Sequence, residues 1–143
     1  MKSTLFSALL LFLSITACQS PSSSEASQSA TASSSTAAGS SVVTLTVQEF
    51  AAQSSKGTIL DVRTAGEVAQ GKIEGALVID YYSSNFLDQV SQLPKDQELY
   101  LYCAVGARSE EAARLLVQQG FTKVYHLQGG IQGWSQEGMA VVR

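Results

Sequence analysis

Leu99-Tyr100-Leu101-Tyr102-Cys103-Ala104-Val105-Gly106-Ala107-Arg108 is the stretch on which the fold turns. Its first four residues are apolar and aromatic, the composition of a buried strand. Gly106 marks a turn. From Ser109 to Gln119 the pattern becomes helical and closes at Gly120, where Phe121 is placed to pack back on Leu116 as in a Schellman cap. A strand that runs through a short loop into a helix is the unit of an α/β protein. It also sets Cys103 beside a helix start, where backbone N–H groups and the helix dipole favour negative charge. The thiolate is the reactive form of cysteine, so the expectation is an exposed sulfur ringed by the amides of residues 104–109. The alternative from the same residues is a buried structural cysteine ending a strand.

Working outward, strand and helix signals alternate. Val42 to Leu45 is β-rich, and Thr46 with Glu49 has capping-box spacing for a short helix to about Ala52. Thr58 to Val62 reads as a buried strand. Thr64 with Glu67 repeats the capping-box spacing and opens a helix that ends near Gly71. Ala76 to Ile79 is a third strand, and Ser84 to Leu93 a helix stopped by Pro94. Lys123 to Leu127 is a fifth strand, and Gly129-Gly130 turns into a last helix through Trp134. Apolar strands separated by helices predict an α/β fold, a single domain over residues 42–143 with a mostly parallel five-stranded sheet and helices on both faces. Ligands of such sheets bind beyond the carboxyl ends of the strands. Cys103 and Asp61-Val62-Arg63 both lie at such ends. Arg63 and Glu67 have the i,i+4 spacing of a helical ion pair, so Asp61, Arg63 and Glu67 read as support for the site. Tyr81 and Tyr82 follow the third strand and are placed to rim it. His126 alternates with apolar neighbours and reads as a packed residue rather than a base.

The N-terminus reads as an address. Lys2 precedes an apolar run of 11 residues, Leu5 to Ile15, too short to span a bilayer and suited to an export signal over residues 1–17. Ile15-Thr16-Ala17-Cys18 resembles the lipobox of bacterial lipoproteins. The resemblance implies lipidation of Cys18, cleavage before it, and an exported chain held at a membrane through that anchor. Gln19, in place of Asp, favours the outer membrane, facing the periplasm. An ordinary signal cut after Ala17 is the alternative. Eleven of the 23 residues from Gln19 to Ser41 are Ser. Such a segment buries too little apolar surface to order itself, so residues 18–41 read as a tether spanning ~25 Å.

Composition narrows the functions. The chain has 143 residues, a formal net charge of −3 and no basic patch, which argues against nucleic acid as a partner. Two cysteines and one histidine are too few for a structural zinc site, and no metal is expected.

Three blocks in order resemble the rhodanese-like sulfurtransferases. Asp61-Val62-Arg63 with Glu67, followed by Gly71-Lys72-Ile73-Glu74-Gly75-Ala76, is similar to the family's Asp-Val-Arg…Glu…Gly-His-Ile-Pro-Gly-Ala block. Lys72 and Glu74 depart from its His and Pro. Tyr102 to Ser109 is similar to the active-site loop, and Leu127-Gln128-Gly129-Gly130-Ile131-Gln132-Gly133-Trp134 to the C-terminal signature. The resemblance implies catalysis by Cys103 through a persulfide, with Ala104, Val105, Gly106, Ala107, Arg108 and Ser109 forming the loop that binds it. It implies no cofactor. The partners would be a small sulfur-containing donor, thiosulfate or a persulfide or polysulfide, and a thiol acceptor or cyanide. Arg108 would either face an anionic donor or brace the loop through a carboxylate, and Ser109 would cap the following helix. Family members adept with thiosulfate often carry more loop cations than this chain, whose loop has Arg108 alone. Phosphatases sharing the fold have a longer loop than the six residues from Cys103 to Arg108. A non-catalytic or redox-sensing binding module is the other reading.

Overall fold

The computed structural model describes residues 41–143. The leader, Cys18 and all but the last residue of the tether lie outside the described residues. Five strands form one sheet: β1 (Val42–Leu45), β2 (Thr58–Asp61), β3 (Leu77–Val78), β4 (Glu98–Tyr102) and β5 (Lys123–Leu127). Their order is β1-β5-β4-β2-β3, and every pairing is parallel. All carboxyl ends therefore share one edge. β4 is central, flanked by β2 with Leu60 opposite Leu101 and by β5 with His126 opposite Leu101.

Alternation along β4 divides the core. Leu99, Leu101 and Cys103 point to one face, with Phe86, Val90, Ala112, Ala113, Leu116 and Phe121. That face is covered by α3 (Phe86–Ser91) and α4 (Ala107–Gln118). Tyr100 and Tyr102 point to the other, with Val47, Phe50 and Trp134 of α1 (Val47–Gln53) and α5 (Gly130–Gln136). There Phe50 meets Tyr100 and Trp134 edge-on, with centroids 5.8 and 6.1 Å apart, contacts worth about 0.5–1.5 kcal/mol each beyond burial.

The local signals explain the element ends. Thr46 and Thr64 both form complete capping boxes, with Glu49 for α1 and Glu67 for α2 (Ala65–Val68). α4 ends in a Schellman cap: Phe121 N donates to Leu116 O at 3.1 Å and Gly120 N to Val117 O at 3.0 Å. Four elements are shorter than expected: β2 ends at Asp61 rather than Val62, α2 ends at Val68 rather than near Gly71, and β3 and α3 are cut back as well. β3 keeps Leu77–Val78, because Ala76 N is taken by a turn bond to Ile73 O. α3 runs from Phe86 to Ser91, because Ser83 and Asn85 form a turn ahead of it. α4 is longer at its start, for a reason set by the site.

Candidate active site

Cys103 follows the last residue of β4 at the carboxyl edge, and the chain then turns through Ala104, Val105 and Gly106 into α4. Gly106 has φ of +104° and is the residue preceding the helix. That backbone is one L side chains rarely adopt, and an added Cβ would lie 3.2 Å from Gly129 N. The tight turn starts α4 at Ala107, two residues ahead of the expected Ser109. Ser109 is therefore not the residue that caps the helix. Its fully buried hydroxyl donates to Gly106 O at 2.9 Å, beside the first helical bond from Glu110 N to the same oxygen at 3.0 Å.

The same turn aims Gly106 N–H at Cys103 Sγ, 3.1 Å away. Among the described residues it is the one amide that hydrogen-bonds the sulfur. The expected ring of amides from residues 104–109 thus reduces to a single direct donor. The expectation of an exposed sulfur is corrected as well. Cys103 is 0% exposed and packs with Val62, Leu101, Ala112 and Ala113. The cause is strand alternation, which sends residue 103 to the α4 face as it does residues 99 and 101. Val105, in contrast, is 56% exposed.

A second chain segment holds the loop from behind. Ile131 N donates to Cys103 O at 2.8 Å, and Gln132 N to Ala104 O at 3.1 Å. Those bonds need Gly130. Its φ is +56°, and a Cβ there would sit 2.7 Å from the Ala104 carbonyl carbon and nearer still to Cys103 O. From sequence the Gly129-Gly130 pair reads as a turn and as part of the C-terminal signature. Its role as the wall of the loop depends on a backbone approach that no single-residue pattern encodes.

Arg108 faces a carboxylate. Its Nη1 donates to Glu67 Oε2 at 2.9 Å and its Nη2 to Glu67 Oε1. Its guanidinium carbon also lies 5.5 Å from the centroid of the Tyr82 ring, which is 68% exposed. The Arg108 hydrogen bonds, outweighing partial burial, hold the Glu67 carboxyl down at about 2. Glu67 meanwhile caps α2, accepting from Thr64 N at 3.0 Å. The expected Arg63–Glu67 side-chain pair does not form. Arg63 reaches only the main-chain oxygen of Glu67, at 3.3 Å. Its guanidinium is spent on Asp61, with Nε at 2.9 Å from Oδ1 and Nη2 at 2.6 Å from Oδ2, and on Gly71 O at 2.8 Å. Both members of that pair are buried. Arg63 also lies over the Tyr102 ring, whose hydroxyl accepts from Ile73 N at 3.1 Å. Asp61 and Arg63 thereby fasten the β2–β3 connection to β4.

His126 is buried on β5. Its Nε2 lies 3.0 Å from Thr44 Oγ1, and its Nδ1 has no hydrogen-bond partner. Burial lowers its proton affinity, with Glu110 and Arg114 acting in opposite senses.

Comparison with known proteins agrees with this architecture. Residues 46–137 match the family described as "Rhodanese-like domain", and the chain belongs to that family. A protein named "Sulfurtransferase" from Allochromatium vinosum is 39% identical over 84 residues, covering 59% of this chain and 77% of that one. "Thiosulfate sulfurtransferase GlpE" of Stutzerimonas stutzeri is 34% identical, covering 61% and 78% respectively. Among solved structures, a rhodanese-related protein from Thermoplasma volcanium superposes with a TM-score of 0.64 at 31% identity, over 70% of this chain and 97% of that chain.

Proposed function

We propose that this chain is a sulfurtransferase that carries sulfane sulfur on Cys103. The observation that supports it most is the Gly106 N–H bond to Sγ at the start of a 12-residue helix. A donor amide and a helix N-terminus both stabilise negative sulfur. In the first step the Cys103 thiolate attacks the outer sulfur of the donor. The new S–S bond forms as the donor's own bond to that sulfur breaks, and the leaving group departs with the electron pair. In the second step an acceptor thiol, or cyanide, takes the outer sulfur and returns the thiolate. Two covalent half-reactions give ping-pong kinetics. With Cys103 fully buried, access of a donor to Sγ and the chemistry are separate events. Arg108, tied to Glu67, serves as a brace for the loop.

The test is intact mass after incubation with a sulfane-sulfur donor. Addition of one sulfur, absent in Cys103→Ser, is the expected result; identical behaviour of both proteins ends the proposal. The burial of Cys103 is the one observation favouring the other reading, a non-catalytic rhodanese-like binding module with a core cysteine. That reading requires wild type and Cys103→Ser to retain the same partner.

The sequence pattern around Cys18 supports a further proposal, that the domain is exported and lipid-anchored at a bacterial membrane.

A further inference from the structure

Resting on the transfer reading, we infer that the sulfur donor is an organic persulfide whose carbon-bearing group is uncharged or cationic, and that the thiosulfate dianion is a poor donor. The first observation is the charge placed around the loop. The segments that leave the carboxyl ends of β2, β3 and β4, residues 61–68, 79–85 and 103–114, carry Asp61, Glu67, Asp80, Glu110 and Glu111. Against these five carboxylates stand three guanidiniums, Arg63, Arg108 and Arg114. The segment that leaves β5, residues 128–134, carries no charge. The edge around Cys103 therefore has a surplus of negative charge.

The second observation is that each guanidinium is already paired: Arg63 with Asp61, Arg108 with Glu67 and Arg114 with Glu110. Among the described residues, the lysines and Arg143 lie outside these segments. Lys56 and Lys95 precede β2 and β4 and Lys123 opens β5, all at the amino edge of the sheet. Lys72 Nζ is bound to Ala76 O at 2.9 Å, at the start of β3. A dianion approaching the loop thus meets this carboxylate surplus, with no uncommitted cation on these segments to offset it.

The third observation is what the loop does expose. Val105 is 56% and Tyr82 68% exposed, and Tyr82 adjoins Arg108. An aliphatic and an aromatic side chain suit the carbon skeleton of an organic donor. The step balances without an oxidant. The Cys103 thiolate bonds to the outer sulfur of R–S–SH, the donor's own S–S bond breaks, and the leaving R–S⁻ takes the proton. The products are the Cys103 persulfide anion and R–SH.

The experiment follows persulfide formation on the full chain by rapid mixing and intact mass. Its two donors are N-acetylcysteamine persulfide, whose organic group is uncharged, and thiosulfate. Each rate is divided by that of a small free thiolate with the same donor, which removes intrinsic reactivity. The normalised persulfide rate is expected to exceed the thiosulfate rate roughly tenfold or more, the scale on which local fields change encounter. Added salt should speed the thiosulfate reaction and change the persulfide reaction little. Val105→Lys, on an exposed site, should raise the thiosulfate rate several-fold. A normalised thiosulfate rate that equals or exceeds the persulfide rate, or that falls with salt, overturns this inference and leaves the transfer reading standing. Failure of both donors to add sulfur to Cys103 overturns the transfer reading and this inference with it.

Discussion

Glu67 and Arg108, 41 residues apart in the chain, meet in a two-bond pair that ties α2 to the start of α4. One carboxylate thereby caps a helix that leaves β2 and fixes the arginine that ends the Cys103 loop. The pair is partly exposed, with side-chain accessibilities of 17% for Arg108 and 32% for Glu67. Solvent therefore screens much of its Coulomb energy.

Glu67→Gln is expected to lower stability by about 1–2 kcal/mol, combining a weakened cap with a screened ion pair. The urea midpoint at neutral pH measures it. In a double-mutant cycle with Arg108→Ala, coupling near zero would show that the pair contributes nothing beyond the cap.

The same carboxylate sets an acid response. Glu67 is held at about 2 against an ordinary 4.5, so folding favours its charged form. The stabilisation is complete above about pH 4.5 and is lost as pH falls from there toward 2. The stability difference between wild type and Glu67→Gln should shrink over that window. A difference that stays constant would mean that the Arg108 pair does not govern the titration.

His126 gives a response of opposite origin. Its neighbours are Thr44 on β1 and, on α4, Glu110 and Arg114, and burial dominates to lower its proton affinity. The unfolded chain takes up the proton more readily than the folded one. Stability is thus complete above the ordinary value of 6.5 and falls as pH drops through it. His126→Leu should flatten the decline in melting temperature between about pH 7.5 and 5.5. An unchanged slope would assign that decline to other groups.

Gly130→Ala forces a Cβ against the Cys103 and Ala104 carbonyls at φ +56°. The expected cost is about 2–4 kcal/mol, from strain and overpacking together. Gly138→Ala is the control, since its φ is +77° but its surroundings are open, and strain alone costs about 1 kcal/mol. Equal losses in thermal unfolding would remove Gly130 from the loop's support.

Cys18→Ala should abolish incorporation of radioactive palmitate in a bacterial host and release the chain from the membrane fraction. Labelling that survives the substitution would sink the anchor proposal.

The sequence made the sheet visible because strand and helix signals are local. Val42–Leu45 and Lys123–Leu127 were readable to the residue, and the Thr46 and Thr64 capping boxes formed as their spacing implied. Tertiary partners were harder to see. Spacing paired Glu67 with Arg63, four residues away, whereas Asp61 captured Arg63 and left Glu67 for Arg108. The burial of Cys103 follows the alternation of Leu99 and Leu101 and matches the alternative reading of a buried cysteine ending a strand, whereas the loop glycine and helix start favour exposure. The two-residue shift in the start of α4 came from the positive φ of Gly106, which sequence permits without requiring.

The contact of Gly130 with the Cys103 and Ala104 carbonyls has an evolutionary and engineering corollary. The hexapeptide from Cys103 to Arg108 is not a portable cassette. Grafting it onto a foreign scaffold would fail to reproduce its shape unless the diglycine hinge travelled with it, and substitutions in either segment should be tolerated only in concert.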